Sequence, residues 1–300
     1  MVDYRLYVWY SCEVKESTKV RNEMREWIME QFLVEAFKLS LLEMISLVGL
    51  LIVIGLILGF MERKANSYFF AAFGYKGILA TAWIGTPVHE MGHALMCLIF
   101  GHKIMDMRLL MIDRADGTLG YVTHSYNRRS VYQTVGNFFI GIAPIISGIG
   151  VLFLSLYYLL PNSFKVFEVS LHKGVMSKSF DLTFVKGVAS ASLVLIQSIF
   201  TLSNLFSPHF WIFLLIAIGV SSHMALSGAD IKGATHGLVS LYIVLLSLTM
   251  VSIFMRVNAY SYSLQVARYN SYILAFSALA LIFSLFTLGL SFLIYKIKVS

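Results

Sequence analysis

Long apolar stretches recur along the chain, and they limit its fold more than any other feature. A helix that crosses a bilayer needs roughly 20 apolar residues. Leu39–Phe60, Gly77–Phe100, Val131–Leu160, His236–Val257 and Tyr272–Tyr295 reach that length, and Lys186–Leu226 is long enough for two spans meeting near Asn204–Pro208. The expected class is an all-α polytopic membrane protein with six to seven transmembrane helices. Composition agrees. Only 13% of the residues are charged, against roughly 25% in a soluble domain. A 58% hydrophobic share over 300 residues exceeds what a soluble core of that size can hide. Disordered, collagen-like and ordinary cytosolic proteins are excluded. The basic residues are scattered, with no run of five, so the net charge of +7 reads as loop and interface anchors and not as a nucleic-acid surface. The expected surroundings are the lipid bilayer, with an integral, multi-pass location, the cell membrane being favoured. Cys12 and Cys97 lie in unlike surroundings and are not expected to pair.

About a third of the charged residues precede residue 39. Within residues 1–38, Val20, Met24, Trp27, Ile28, Phe32 and Leu33 recur at helical spacing, with charges on the other faces. This reads as an amphipathic helix at the membrane surface, or as a solvated helix packed on the rest of the protein. Residues 39–76 hold the first span, closed by Glu62-Arg63-Lys64, and a connector. Residues 77–237 form a core, and 238–300 the C-terminal helices. One connector is informative. Ile104 to Ile112 alternates, Asp116-Gly117 is a turn signal, and Leu119 to Tyr126 alternates again. The pattern predicts a β-hairpin over 104–126.

The chemistry concentrates in His89-Glu90-Met91-Gly92-His93. On a helix His89 and His93 share a face one turn apart, so both imidazoles can bind one metal ion. Glu90 lies about 60° around the helix from His93, beside the ion, where it can take a proton from a metal-bound water. Met91 points away, and Gly92 leaves the flank near the metal open. Apart from Glu43 near a span end, Glu90 is the lone carboxylate within the expected spans, and ionisable groups at such depth mark function. The plain alternative is a buried polar pair that stabilises helix packing. Thr86-Pro87 just before the motif reads either as a helix start, with threonine as N-cap, or as a proline kink.

A hydrolytic zinc site needs three protein ligands and an open position. Candidates for the third are Asp230, His223, His124, His209, His236 and Cys97. Cys97 lies on the histidine face but roughly 6 Å further along. Asp230 is favoured. It stands at the end of a long apolar run, among small residues that let helices approach, and no other carboxylate lies between Asp181 and the C-terminus. It can serve as helix cap and ligand together.

These residues resemble the site-2 protease family of intramembrane zinc metalloproteases. Thr86–Gly101 resembles that family's first motif, Gly136-Asn137 through Gly141 and Pro144 its small-residue central segment, and Ser222–Gly233 its third motif. The likeness covers about Gly77 to Gly237. It implies one Zn2+ ion held by His89, His93 and Asp230, with Glu90 as general base. The third motif departs from the family's usual Asn…Pro…Leu-Asp-Gly: Ser222-His223 stands where the asparagine is expected, and Ala229 and Ile231 flank the aspartate. His223 could take the role of binding the oxyanion or substrate backbone, and so could Asn137, whose plain alternative is to pack a helix interface.

The expected activity is hydrolysis of a peptide bond in or near the transmembrane segment of a membrane-protein substrate. A zinc-bound water attacks, and Glu90 moves the proton. The substrate is presented as an extended strand, which the 104–126 hairpin can pair with, and His124 in its second strand is a candidate to line that route. The alternatives are a transporter or metal-handling protein that uses the His/Asp cluster, and an inactive protease relative that acts as a binding partner.

Overall fold

The computed structural model describes residues 18–112, 118–174, 182–255 and 259–299. It is mostly helical (83%), as the apolar runs predict. Helix α1 (Thr18–Met44) passes through a π-helical turn, Ile45–Gly49, into α2 (Leu50–Phe73). Glu62-Arg63-Lys64 does not end this run. Gly74 does, in the left-handed region at φ 62, with its N–H bonded to the Phe70 carbonyl. Helix α3 (Tyr75–Ile99) follows at once and carries Pro87 inside it, so Thr86 is not a helix start. Proline in such a helix is tolerated where neighbouring helices support the broken turn.

A Schellman turn ends α3: Gly101 at φ 67 lets the His102 N–H reach the Cys97 carbonyl and its own N–H reach the Leu98 carbonyl. The chain then enters β1 (Lys103–Arg108), which pairs antiparallel with β2 (Tyr121–Ser125), with a register shift between Ile104 and Asp106. This is the expected hairpin. Its turn signal, Asp116-Gly117, lies outside the described residues.

Helices α4 (Val131–Gly141) and α5 (Ala143–Leu159) meet at a 60° bend. Helix α6 (Pro161–Gly174) occupies a connector that shows no pattern in the sequence, and buries Phe164, Phe167 and Leu171. The long 186–226 stretch divides into α7 (Leu182–Ile199), the short α8 (Leu202–Leu205) and α9 (Pro208–Ser221). Helix α10 (Gly228–Phe254) and helix α11 (Ala259–Val299) complete the fold. The last of these begins well before the apolar run Tyr272–Tyr295.

Among the described residues, two helices are long and apolar enough to cross a membrane, over Gly228–Phe254 and Ser271–Val299, or three if the bent α4–α5 pair is one span. The sequence expectation of six to seven is larger for physical reasons. Helix α3 carries the polar motif, α2 carries three consecutive charges, and α9, with 14 residues, is only about 21 Å long.

The core is lined by Leu58, Ile145, Leu152, Phe167, Leu195, Phe213 and Phe276. Backbones approach most closely where glycine allows it. A Cβ on Gly237 of α10 would fall on the backbone of Phe138 in α4, and one on Gly141 would meet the Asp230 carbonyl and Ala234. This contact sets the Asp230 turn against the helix that follows the hairpin. Gly237→Ala therefore lowers stability by more than the about 1–3 kcal/mol of ordinary overpacking, because backbone cannot swing aside. Thermal unfolding in detergent reads this; an unchanged midpoint contradicts the packing.

Candidate metal centre

Two histidines one helical turn apart can face one point only if their rings are held. Here each Nδ1–H is committed to a backbone carbonyl. His89 Nδ1 lies 2.9 Å from the His223 oxygen, and His93 Nδ1 lies 2.8 Å from the Ile140 oxygen. Donation from Nδ1 leaves the lone pair on Nε2, the arrangement that metal-binding imidazoles use. The rings sit edge to face with centroids 4.9 Å apart.

Asp230 enters in the first turn of α10. Ser227 Oγ accepts from the Asp230 N–H at 3.1 Å, and Asp230 Oδ2 accepts from the Ser227 N–H at 2.7 Å. This reciprocal capping box fixes the carboxylate. The helix cap is thus Ser227 and not Asp230, which stands three residues into the helix and returns the bond. Its Oδ1 lies 3.2 Å from His93 Nε2, and its Oδ2 lies 3.7 Å from His89 Nε2.

The donor set fits a cation. One ligand atom from each of His89, His93 and Asp230 lies within 4.8 Å of the others, and the edges of a tetrahedron of zinc ligands are about 3.4 Å. Two imidazole lone pairs aimed at a carboxylate repel it unless positive charge lies among them. The three side chains are 8–14% exposed, so water does little to screen that repulsion. This group can hold a metal ion.

Glu90 is buried, at 6% exposure. The chain just before β2 lies over it: a Cβ on Gly120 would come within 2.8 Å of Glu90 Cγ, 2.9 Å of the Arg108 carbonyl and 3.0 Å of Thr86 Cγ2. Only glycine lets the hairpin close this far over the motif. Thr86 Oγ1, one turn before Glu90, is buried with no hydrogen-bond partner among the described residues. Met91 faces outward as expected, at 58% exposure. The flank at Gly92 is not open. Ser147 and the Ala143 carbonyl of α5 fill it, and Ser147 Oγ donates to the Val88 carbonyl. The glycine serves helix contact, not access.

The other sequence candidates lie apart from this cluster. Asn137 is buried and bonds to the Thr134 carbonyl of its own helix. The His223 ring contacts Thr81 and Glu62, while its carbonyl reaches His89. His209 and His236 are exposed and bond locally, His209 to Ser207 and His236 to the Lys232 carbonyl. Cys97 is a fully buried free thiol. Sequence reasoning missed the two carbonyls, of His223 and Ile140, since backbone acceptors leave no trace in residue identity. It also missed Glu62, read as the end of a span.

His124 is paired with His102, their Nδ1 atoms 3.0 Å apart. His102 Nε2 lies 2.8 Å from the Gln133 carbonyl, and its ring stacks on Tyr126. His102 therefore ties β2 to α4 behind the motif. Comparison with protein-family models, with curated proteins and with solved structures finds no match to this chain.

Burial, and then His102 beside it, lower the affinity of His124 for a proton below the ordinary value of 6.5. The folded state thus binds fewer protons than the unfolded one below that pH, so this contribution to stability is full above about 6.5 and fades as pH falls toward the lowered folded value. Hydrogen-exchange protection of Lys103–Arg108 and Tyr121–Ser125, corrected for intrinsic rates, is expected to drop between about pH 7.5 and about pH 5.5. His124→Gln flattens that dependence. Equal profiles for the two proteins contradict the assignment.

Proposed function

We propose that the chain is a membrane-embedded zinc metallopeptidase of the site-2-protease kind, which cleaves a peptide bond in or near the transmembrane segment of a membrane-protein substrate. The observation that carries this reading is the convergence of His89, His93 and Asp230, with the buried carboxylate of Glu90 next in the chain to one of them. Two histidines and a carboxylate also suit iron(II). The adjacent Glu90 favours hydrolysis, which needs a base where iron oxygenation does not.

His89, His93 and Asp230 would hold the ion. A zinc ion there would supply Lewis acidity, which lowers the pKa of water toward about 7. Glu90 accepts the proton as the water oxygen bonds to the carbonyl carbon. It then hands that proton to the amine nitrogen as the C–N bond breaks. Among the described residues the hairpin over Glu90 is a two-stranded sheet, so each strand has an outer edge. An extended substrate can add to such an edge and expose a carbonyl that a helix would keep bonded. Thr86, Asn137, His223 and His124 remain candidates for contact with it.

On this reading the chain is multi-pass in the cell membrane. Helices α2, α3, α7 and α9 lie at membrane depth beside α10, α11 and the α4–α5 pair. Their outward side chains support it: Leu56, Trp83, Leu98, Leu193 and Leu215 are each more than half exposed, a surface that suits lipid and not water.

Cleavage of a membrane-protein substrate by the purified protein, with zinc content measured in parallel, tests the reading. Glu90→Gln is expected to cut the rate by at least about 10²–10⁴ with zinc retained. His93→Ala and Asp230→Ala are expected to lose zinc. Wild-type rates from zinc-loaded Glu90→Gln sink the mechanism, and zinc movement across vesicles without cleavage favours the transporter alternative.

A further inference from the structure

Two of the three ligands take their orientation from one short loop. Residues 222–227 connect α9 to α10. The His223 carbonyl in this loop accepts from His89 Nδ1, and Ser227 caps and is capped by Asp230. His93 is held separately, by Ile140 of α4. The placement of the loop therefore decides whether His89 and Asp230 meet at the depth of His93.

The loop lies on one face of α2. Gly55, Gly59 and Glu62 follow at helical spacing on that face. A Cβ on Gly55 would touch Leu226 at 3.5 Å, and one on Gly59 would touch Ala225 at 3.7 Å. Glu62 then grips the loop with both oxygens. Oε2 accepts from the Ala225 N–H at 3.2 Å, and Oε1 lies 3.4 Å from His223 Nδ1. On the other side of the ring, Thr81 Oγ1 lies 3.0 Å from Nε2. The ring is thus held between the Glu62 carboxylate at Nδ1 and the Thr81 hydroxyl, which also reaches the Ile78 carbonyl at 3.3 Å, at Nε2. From α3, Gly85 leaves room for the ring, since a Cβ there would come within 2.6 Å of His223 Cδ2.

We propose that Glu62 is a positioning residue for the metal centre: it anchors the 222–227 loop, through which the His223 carbonyl sets the His89 ring and Ser227 sets the Asp230 carboxylate. This rests on the metal reading above. Glu62 is the one carboxylate of α2 and stands beside Arg63 and Lys64; its grip on this loop gives it a use that span-end solvation does not. Outer-shell partners of this kind act on metal affinity by orienting ligands, without touching the ion.

The test is zinc affinity of the full-length protein in detergent, by competition with a chelator, together with the visible spectrum of the cobalt-substituted protein. Glu62→Ala is expected to weaken zinc binding about 10- to 100-fold and to alter the cobalt bands. Glu62→Gln, which keeps the side-chain volume and one acceptor oxygen, is expected to fall between it and wild type, and carries the comparison if the alanine variant does not fold. Glu43→Gln is the control. That carboxylate is also buried and accepts from Thr249, far along α10 from the site, so its loss lowers stability and leaves zinc affinity and the cobalt spectrum alone. Wild-type affinity and spectrum in both Glu62 variants, or an equal loss in Glu43→Gln, overturn the clamp. A wild-type protein that binds neither zinc nor cobalt overturns the metal reading itself.

Discussion

Two backbone hydrogen bonds determine what the rest of this site can do. The carbonyls of His223 and Ile140 take the Nδ1 protons of His89 and His93. Each bond removes a donor from a ring and leaves a lone pair pointing inward, where the Asp230 carboxylate already sits. A polar motif on an apolar helix thereby becomes part of a group that can hold a metal ion. The carbonyls come from different elements, one from the turn after α9 and one from the end of α4. The packing of those elements therefore sets the geometry of the group. The glycine contacts of α4 with α10, and of α5 with α3 at Gly92, keep both carbonyls within hydrogen-bond reach.

The hairpin closes the site from the other side. Its β2 end passes over Glu90 at Gly120, and the His102–His124 pair fastens β2 to the start of α4. A carboxylate under such a cover is shielded from bulk water, which strengthens every charge interaction around it.

Much of this was legible in the sequence, for physical reasons. His89 and His93 share a face because helical periodicity puts them there, and Asp230 stood out because no other carboxylate lies between Asp181 and the C-terminus. The hairpin showed as alternation. What stayed hidden was whatever depends on neighbours distant in the chain. Glu62 reads as the end of a span when the charges beside it are counted, yet α2 continues to Phe73 and turns that carboxylate inward. Gly92 reads as an opening when its own helix is considered alone, and α5 fills it. Thr86-Pro87 carries the local signals of a helix start, and packing against α9 and the His223 loop overrides them. The 186–226 stretch has the apolar length of two spans, but it breaks into short helices that do not each match a bilayer.

X-ray absorption at the zinc edge of the purified full-length protein tests the central claim most directly. The account predicts one zinc per chain with two imidazole nitrogens at about 2.0–2.1 Å, oxygen completing the shell and no sulfur. A sulfur shell, a single imidazole, or zinc absent from protein that was never exposed to chelator contradicts it.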